Sequence, residues 1–293
     1  MAILIGIFEE GLVYAIMALG VYITYRILDF PDLSVDGTFP MGGAITAVLI
    51  IAGVNPIFTL PISFMAGAIS GILTGLIHVK LKVRDLLSGI IMMTALYSLN
   101  LRIAGSSNVP IFSKPTIFEN ALFDKYVPDA FRPYLVVTLL VIIVIVMKLL
   151  LDLYLRTRSG YLLRAVGDND TLVTSLAKDK GSVKIIGLAI ANAFVALAGS
   201  IYTQMSGFHE LSIGTGTVVI GLASVIIGTN LFKRAPLKAT TAVIIGSILY
   251  KACVAAAIIM GMEAKDMKLI ISILFLIILV ISHDRKRRAK QNA

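Results

Sequence analysis

Residues 156–184 read RTRSGYLLRAVGDNDTLVTSLAKDKGSVK, the longest polar, mixed-charge passage in the chain. Apolar segments flank it, residues 134–155 before and 185–202 after. Nearly everything else reads as membrane-spanning helix, so any task facing the cytosol falls on this loop. Leu162, Val166, Val173 and Leu176 fit one face of a short amphipathic helix at the membrane surface, with charges on the other face. Such a helix suits docking into a groove of a partner protein. A solvated loop resting on lipid headgroups fits the same pattern.

Working outward, 58% of the 293 residues are hydrophobic, against roughly 45–50% in a soluble domain. Mean hydropathy is +0.93. Long, nearly charge-free runs recur, each close to the roughly 20 residues that cross a bilayer core of about 30 Å. The expectation is an all-α polytopic protein of about nine spans. Residues 1–293 then form one membrane domain, with a cytosolic loop at 156–184 and a basic cytosolic tail at 283–293. The net charge of +9 does not point to nucleic acid. The basic residues lie in short turns and in the tail, the pattern of the positive-inside rule. A lone Cys253 excludes a disulfide framework and a thiolate metal cluster. The first charges are Glu9 and Glu10, so a cleaved signal peptide is not expected.

In chain order, residues 11–28 read as a first apolar helix. DFPDLSVDGTFP (residues 29–40) interrupts it with two prolines and three aspartates, which a lipid-facing helix does not carry. A short apolar stretch follows, residues 41–54. A broken helix lining a cavity and a plain loop between spans both fit. In the span 57–79, Gly67, Gly71 and Gly75 share one helix face and allow a neighbouring helix to approach closely. With the tail in the cytosol, the basic turns at Lys80–Arg84, residues 156–184 and Lys233 all fall inside. The loops at 105–132, His209 and Glu263 fall outside.

No catalytic centre is visible. The dipeptide Gly-Lys is absent, so there is no phosphate loop of Walker type. The three histidines are scattered without metal-ligand spacing, and transport becomes the default. Lys251 stands about twelve residues into its span, roughly 18 Å at 1.5 Å per residue. An ionisable group at that depth faces protein or water, or else snorkels to the interface. The pathway reading pairs Lys251 with Asp32, Ser34 and Asp36 across a cavity. A short helix starting near Thr38 would point its positive end into that cavity. Tyr97 and Asn100 are further pathway candidates, with interhelical hydrogen bonding as the competing role. Asn192 reads as a packing polar group.

TRSGYLLRAVGDNDTLVTSLAKDKGSVKIIGLAIANAFVALAGSIY (157–202) resembles the cytosolic loop and following helix of permease subunits of bacterial ABC importers in the branched-chain amino acid and ribose group. Members of that group carry a similar T-R-x-G-x-x-x-R-A-x-G-x-N stretch. GLVYAIMALGVYIT with DLSVDGTFPMGGAI, KVRDLLSGIIMMTAL, and GTGTVVIGLASVIIGTNLF with GSILYKACV resemble other family segments in the same order. The DFPDLSVDGTFP break is most similar to permeases assigned to tryptophan or tyrosine uptake. The resemblance implies a permease homodimer, two ATPase subunits holding Mg-ATP and an extracytoplasmic binding protein. It implies that Gly160, Arg164, Ala165, Gly167, Asp168 and Asp170 lie in the segment seated in the ATPase. Lys251 departs from the family, whose members carry an uncharged or acidic residue there. An ion-gradient-driven secondary transporter, a permease for a sugar or nucleoside, and a non-transporting membrane scaffold are the competing readings.

Overall fold

A computed structural model describes residues 2–119, 132–168, 179–233, 235–261, 269, 271–273 and 275–280. The helices in chain order are α1 (Ala2–Val21), α2 (Val35–Ile51), α3 (Pro56–Val79), α4 (Asp85–Ala104), α5 (Arg132–Leu155), α6 (Arg158–Asp168), α7 (Lys180–Ser206), α8 (Thr217–Leu231) and α9 (Ala239–Ile259). A single π-helical turn, Tyr22–Ile27, extends α1. Two three-residue strands, β1 (Asn108–Pro110) and β2 (Phe208–Glu210), pair antiparallel with Val109 opposite His209.

Seven helices among the described residues are long and apolar enough to cross a membrane, and two further apolar helices, Val35–Ile51 and Ile271–Val280, are shorter. The fold is all-α and polytopic, as expected from composition.

Local chemistry sets the helix ends. The Asn55 side chain accepts from the Ile57 amide at 3.0 Å, with Pro56 as the first residue of α3. Asp179 caps α7 by accepting from the Gly181 amide at 2.9 Å and the Ser182 hydroxyl at 2.5 Å. Those bonds, Ser182 first, hold its carboxyl below the ordinary range. α4 and α7 stop at Gly105 and Gly207, both at positive φ, where a Cβ would be strained.

α3 and α7 run antiparallel in close contact. A methyl group at Gly67 or Gly71 would overlap the carbonyl oxygens of Asn192 or Leu188, and one at Gly75 would lie 2.9 Å from the Ile185 Cα. The expected glycine face is thus a backbone-to-backbone seam. α1 lies in the middle of the bundle, with Leu12 through Leu19 buried. It packs against α5, α7, α8 and α9.

The N-terminal region differs from the sequence reading in its bounds. α1 begins at Ala2 rather than near Gly11, and the chain is out of helix only between Ile27 and Val35. Pro40 sits inside α2, where it leaves the Asp36 carbonyl without its intrahelical donor. Gly214 packs on that carbonyl and on the proline ring. Asp29 adopts φ 51° in the turn, a region aspartate tolerates better than most residues.

Candidate translocation and coupling sites

The turn before α2 is buried and holds a carboxylate. Asp32 is 3% exposed. One of its oxygens accepts from the Ser34 amide at 2.9 Å and the other from Asn192 Nδ2 at 2.8 Å. The Ser34 hydroxyl donates to Asn192 Oδ1 at 3.2 Å, and Asn192 Nδ2 also reaches the Leu188 carbonyl. Asn192 is therefore the interhelical polar group foreseen, and Asp32 with Ser34 is what it binds.

Asp36 points elsewhere. Its carboxylate accepts from the amides of Gly216 and Val218 at 2.9 and 2.8 Å and from the Thr217 hydroxyl at 3.0 Å. These are the free donors at the start of α8, so α2 caps α8. The end of α8 therefore meets an acidic group, as its dipole favours. Thr38 is buried, with its hydroxyl 3.0 Å from Ser70 Oγ. Above it, Thr46 lies 3.1 Å from Ser63 Oγ and 2.6 Å from Ser200 Oγ. The faces of α2 that meet α3 and α7 are thus tied by buried hydroxyls. The helix expected to start near Thr38 starts at Val35.

Lys251 does not meet these aspartates. Its ammonium, 7% exposed as a residue, donates to Glu10 Oε2 at 2.8 Å and stands 4.1 Å from the centroid of the Tyr14 ring. Tyr14 stacks on Phe39 at 5.7 Å with an interplanar angle of 4°. One turn of α9 earlier, the Ser247 hydroxyl donates to the Gly11 carbonyl at 2.9 Å. The lysine clasps α9 to α1. The partner missed from sequence was Glu10, an acid within an apolar run, which is itself a signal for a paired or functional group.

Asn100 is fully buried and donates to the Gly37 carbonyl at 2.9 Å, joining α4 to α2. This is the packing role that competed with solute contact. Tyr97 faces away from the bundle, 59% exposed. A separate cavity of about 320 Å³ opens near β2, lined by Glu9, Lys114, Phe118 and Gln204 among others.

α6 is the described part of the central loop. Gly160, Leu163 and Val166 form its buried side. Leu162, expected on that side, is only half-buried, because the inward face follows the spacing of 160, 163 and 166. Gly160 is pressed against the backbone of Tyr154 and Leu155, and Gly167 against the Ile27 carbonyl. Tyr161, Arg164 and Asp168 are exposed, with the Arg164 guanidinium 5.8 Å from the Tyr161 ring centroid. Ala165 is half-buried. Asp170, Val173 and Leu176 lie outside the described residues, as do the tail and the Glu263 turn. Nearby, Asp152 of α5 accepts from Lys148 at 3.1 Å, Lys238 at 3.0 Å and Thr240 at 2.7 Å, fixing the start of α9.

The chain is an integral membrane bundle, with an amphipathic helix docked at one end and buried polar ties between its helices. Residues 3–280 match the family model described as branched-chain amino acid transport system / permease component, and the chain belongs to that family. It is 42% identical over 291 residues to a tyrosine transport system permease protein of Clostridioides difficile (strain R20291), covering 99% of this chain and 95% of the relative. It is 30% identical over 282 residues to an uncharacterized protein of Rickettsia prowazekii (strain Madrid E), covering 94% and 96%. The ribose import permease protein RbsC of Escherichia coli (strain K12) is 27% identical over 226 residues, covering 77% of this chain and 68% of the relative. No solved structure matches the chain. The resemblance read from the central loop is thus borne out at the level of the family.

Proposed function

We propose that the chain is the membrane subunit of an ATP-driven importer that carries an aromatic amino acid inward as a homodimer. A separate ATPase subunit holding Mg-ATP would seat on α6, and an extracytoplasmic binding protein would deliver the solute at the opposite end. The similarity to a tyrosine permease supports the solute class.

The observation that carries the reading is the seating of α6. It is locked by Gly160 to the end of α5 and by Gly167 to the π-helical turn of α1, while Tyr161 and Arg164 remain exposed. A surface helix that presents an aromatic and a guanidinium suits a groove on a partner. Its buried side is in backbone contact with the segment that leads into the Asp32 turn. A push on α6 would reach Ile27 directly.

The test replaces Tyr161 and Arg164 together by alanine. The chain should reach the membrane at normal levels, and ATP-driven tyrosine uptake into vesicles should fall at least ~10-fold, since hot-spot pairs at interfaces cost 2 kcal/mol or more. Unchanged uptake, or uptake that continues without ATP and collapses with an uncoupler, would replace this reading with the ion-driven one.

A further inference from the structure

The cavity of about 320 Å³ lies at the end of the bundle that carries β1 and β2. Segments remote in sequence wall it: α1 through Glu9, residues 111–119 after β1, Val136 near the start of α5, and the end of α7 from Gln204. Several hydrogen bonds fix that wall. Buried Gln204 accepts from the Ile117 amide at 3.0 Å and donates to Thr59 Oγ1 at 3.0 Å, which pins residues 111–119 to α7 and α3. The Thr116 hydroxyl accepts from the amides of Phe118 and Glu119 at 3.2 and 3.0 Å. The Ile111 amide donates to the Gly207 carbonyl at 2.8 Å. The volume falls at the low end of the roughly 300–1,000 Å³ of small-molecule sites.

The charges on the wall are unspent. Glu9 lies about 10 Å along α1 at 1.5 Å per residue, and it is half-buried. Its neighbour Glu10 is neutralised by Lys251. The side chains of Glu9, Lys114 and Glu119 have no hydrogen bond or ion pair among the described residues. An ionisable group within a membrane helix that its own chain does not pair points to a function. Two acids and one base favour a ligand that brings an ammonium and disfavour a plain anion. A sugar would cover Glu9 and leave its charge unpaired. Phe118, Val136 and Met205 supply the apolar part of the wall, where a ligand side chain can be buried.

We propose that this cavity binds a zwitterionic amino acid within a single subunit, with Glu9 receiving the α-ammonium, Lys114 the carboxylate, and Phe118 and Val136 packing on the side chain. The proposal rests on the permease reading above but not on its coupling to ATP. With the basic turns in the cytosol this end faces outward, so the cavity holds the solute after delivery and before it enters the bundle.

The test uses the purified full-length chain in lipid nanodiscs, with radiolabelled L-tyrosine as the probe. Saturable binding is expected. Glu9→Gln should weaken it at least ~10-fold with the unfolding temperature unchanged. Lys114 is exposed, so Lys114→Met should weaken it only ~3-fold. Unlabelled tyramine, which lacks the carboxylate, should compete ~3-fold less well than L-tyrosine on the native chain and equally well on Lys114→Met. Phloretate, the tyrosine analogue without the ammonium, should not compete. Absence of saturable binding would overturn the proposal. So would binding that Glu9→Gln leaves unchanged, or competition by D-ribose or phloretate as strong as by L-tyrosine. A preference for L-tyrosine over tyramine that persists in Lys114→Met would remove Lys114 from the site. The variant with Tyr161 and Arg164 both replaced by alanine should bind L-tyrosine normally, so the coupling reading can fail while this site stands, and the reverse.

Discussion

α3 and α1 each lie along a long neighbour, and the two seams are closed by different means. Between α3 and α7 the closure is mainly shape: glycines every four residues bring backbone close to backbone, with Gln204 on Thr59 and the Phe64–Phe194 pair beyond the glycine row. Between α1 and α9 it is charge and polarity: Lys251 on Glu10 and over Tyr14, and Ser247 on the Gly11 carbonyl. In lipid, where water drives no helix association, packing and interhelical hydrogen bonds are what remain. A seam made by shape tolerates no added volume. One made by charge accepts altered volume but not the loss of one partner.

The comparison breaks first at Gly71. Gly71→Val would push a branched side chain into the Leu188 carbonyl, and overpacking of this kind costs about 3 kcal/mol. The expected result is a large drop in the unfolding temperature of the purified protein in mild detergent. An unchanged temperature would mean that α3 and α7 are not locked. The charge seam should respond less. The Glu10 side chain is 47% exposed, so a cycle of Lys251→Met, Glu10→Gln and the double variant should give a coupling of about 1 kcal/mol. Lys251→Met alone should be worse than the double variant. Independent effects would show that the pair does not hold α9 to α1.

The smallest effect lies on neither seam and serves as a control. Burial of His209 between β1 and α2, opposed by the nearby Glu210 carboxylate, lowers its pKa from 6.5 to about 4. The unfolded chain then binds the extra proton between those values, so stability falls as pH drops below 6.5 and the loss is complete near 4. Between pH 7 and 6 the change is about 0.7 kcal/mol by linkage. His209→Asn should abolish it in thermal scans at the two pH values. A slope that survives the substitution belongs to another group.

The sequence disclosed what is periodic and local. The glycine row of α3 is legible because residues four apart share a face, whatever they meet. The long apolar helices, the amphipathic helix within the central loop and the family segments were likewise readable along the chain, while the expected count of about nine spans compares with seven long apolar helices among the described residues. Pairings distant in sequence were not. Lys251 and Glu10 are 241 residues apart, and depth alone could not choose Glu10 over Asp32 or Asp36. Pro40 was read as a helix breaker because its cost is local. What packs against the freed Asp36 carbonyl, Gly214, comes from a segment remote in the chain. Tyr97 and Asn100 were both picked as polar residues in a span, and only the bundle shows that Asn100 is buried against α2 while Tyr97 faces outward.

The Asp36 cap on α8 has a mechanical meaning. Pulling α2 and α8 apart would strand a half-buried carboxylate together with two amides and a hydroxyl, and unpaired polar groups away from water are costly. The two elements therefore travel together as one kinematic unit. A hinge placed between α2 and α8 would have to break this cap.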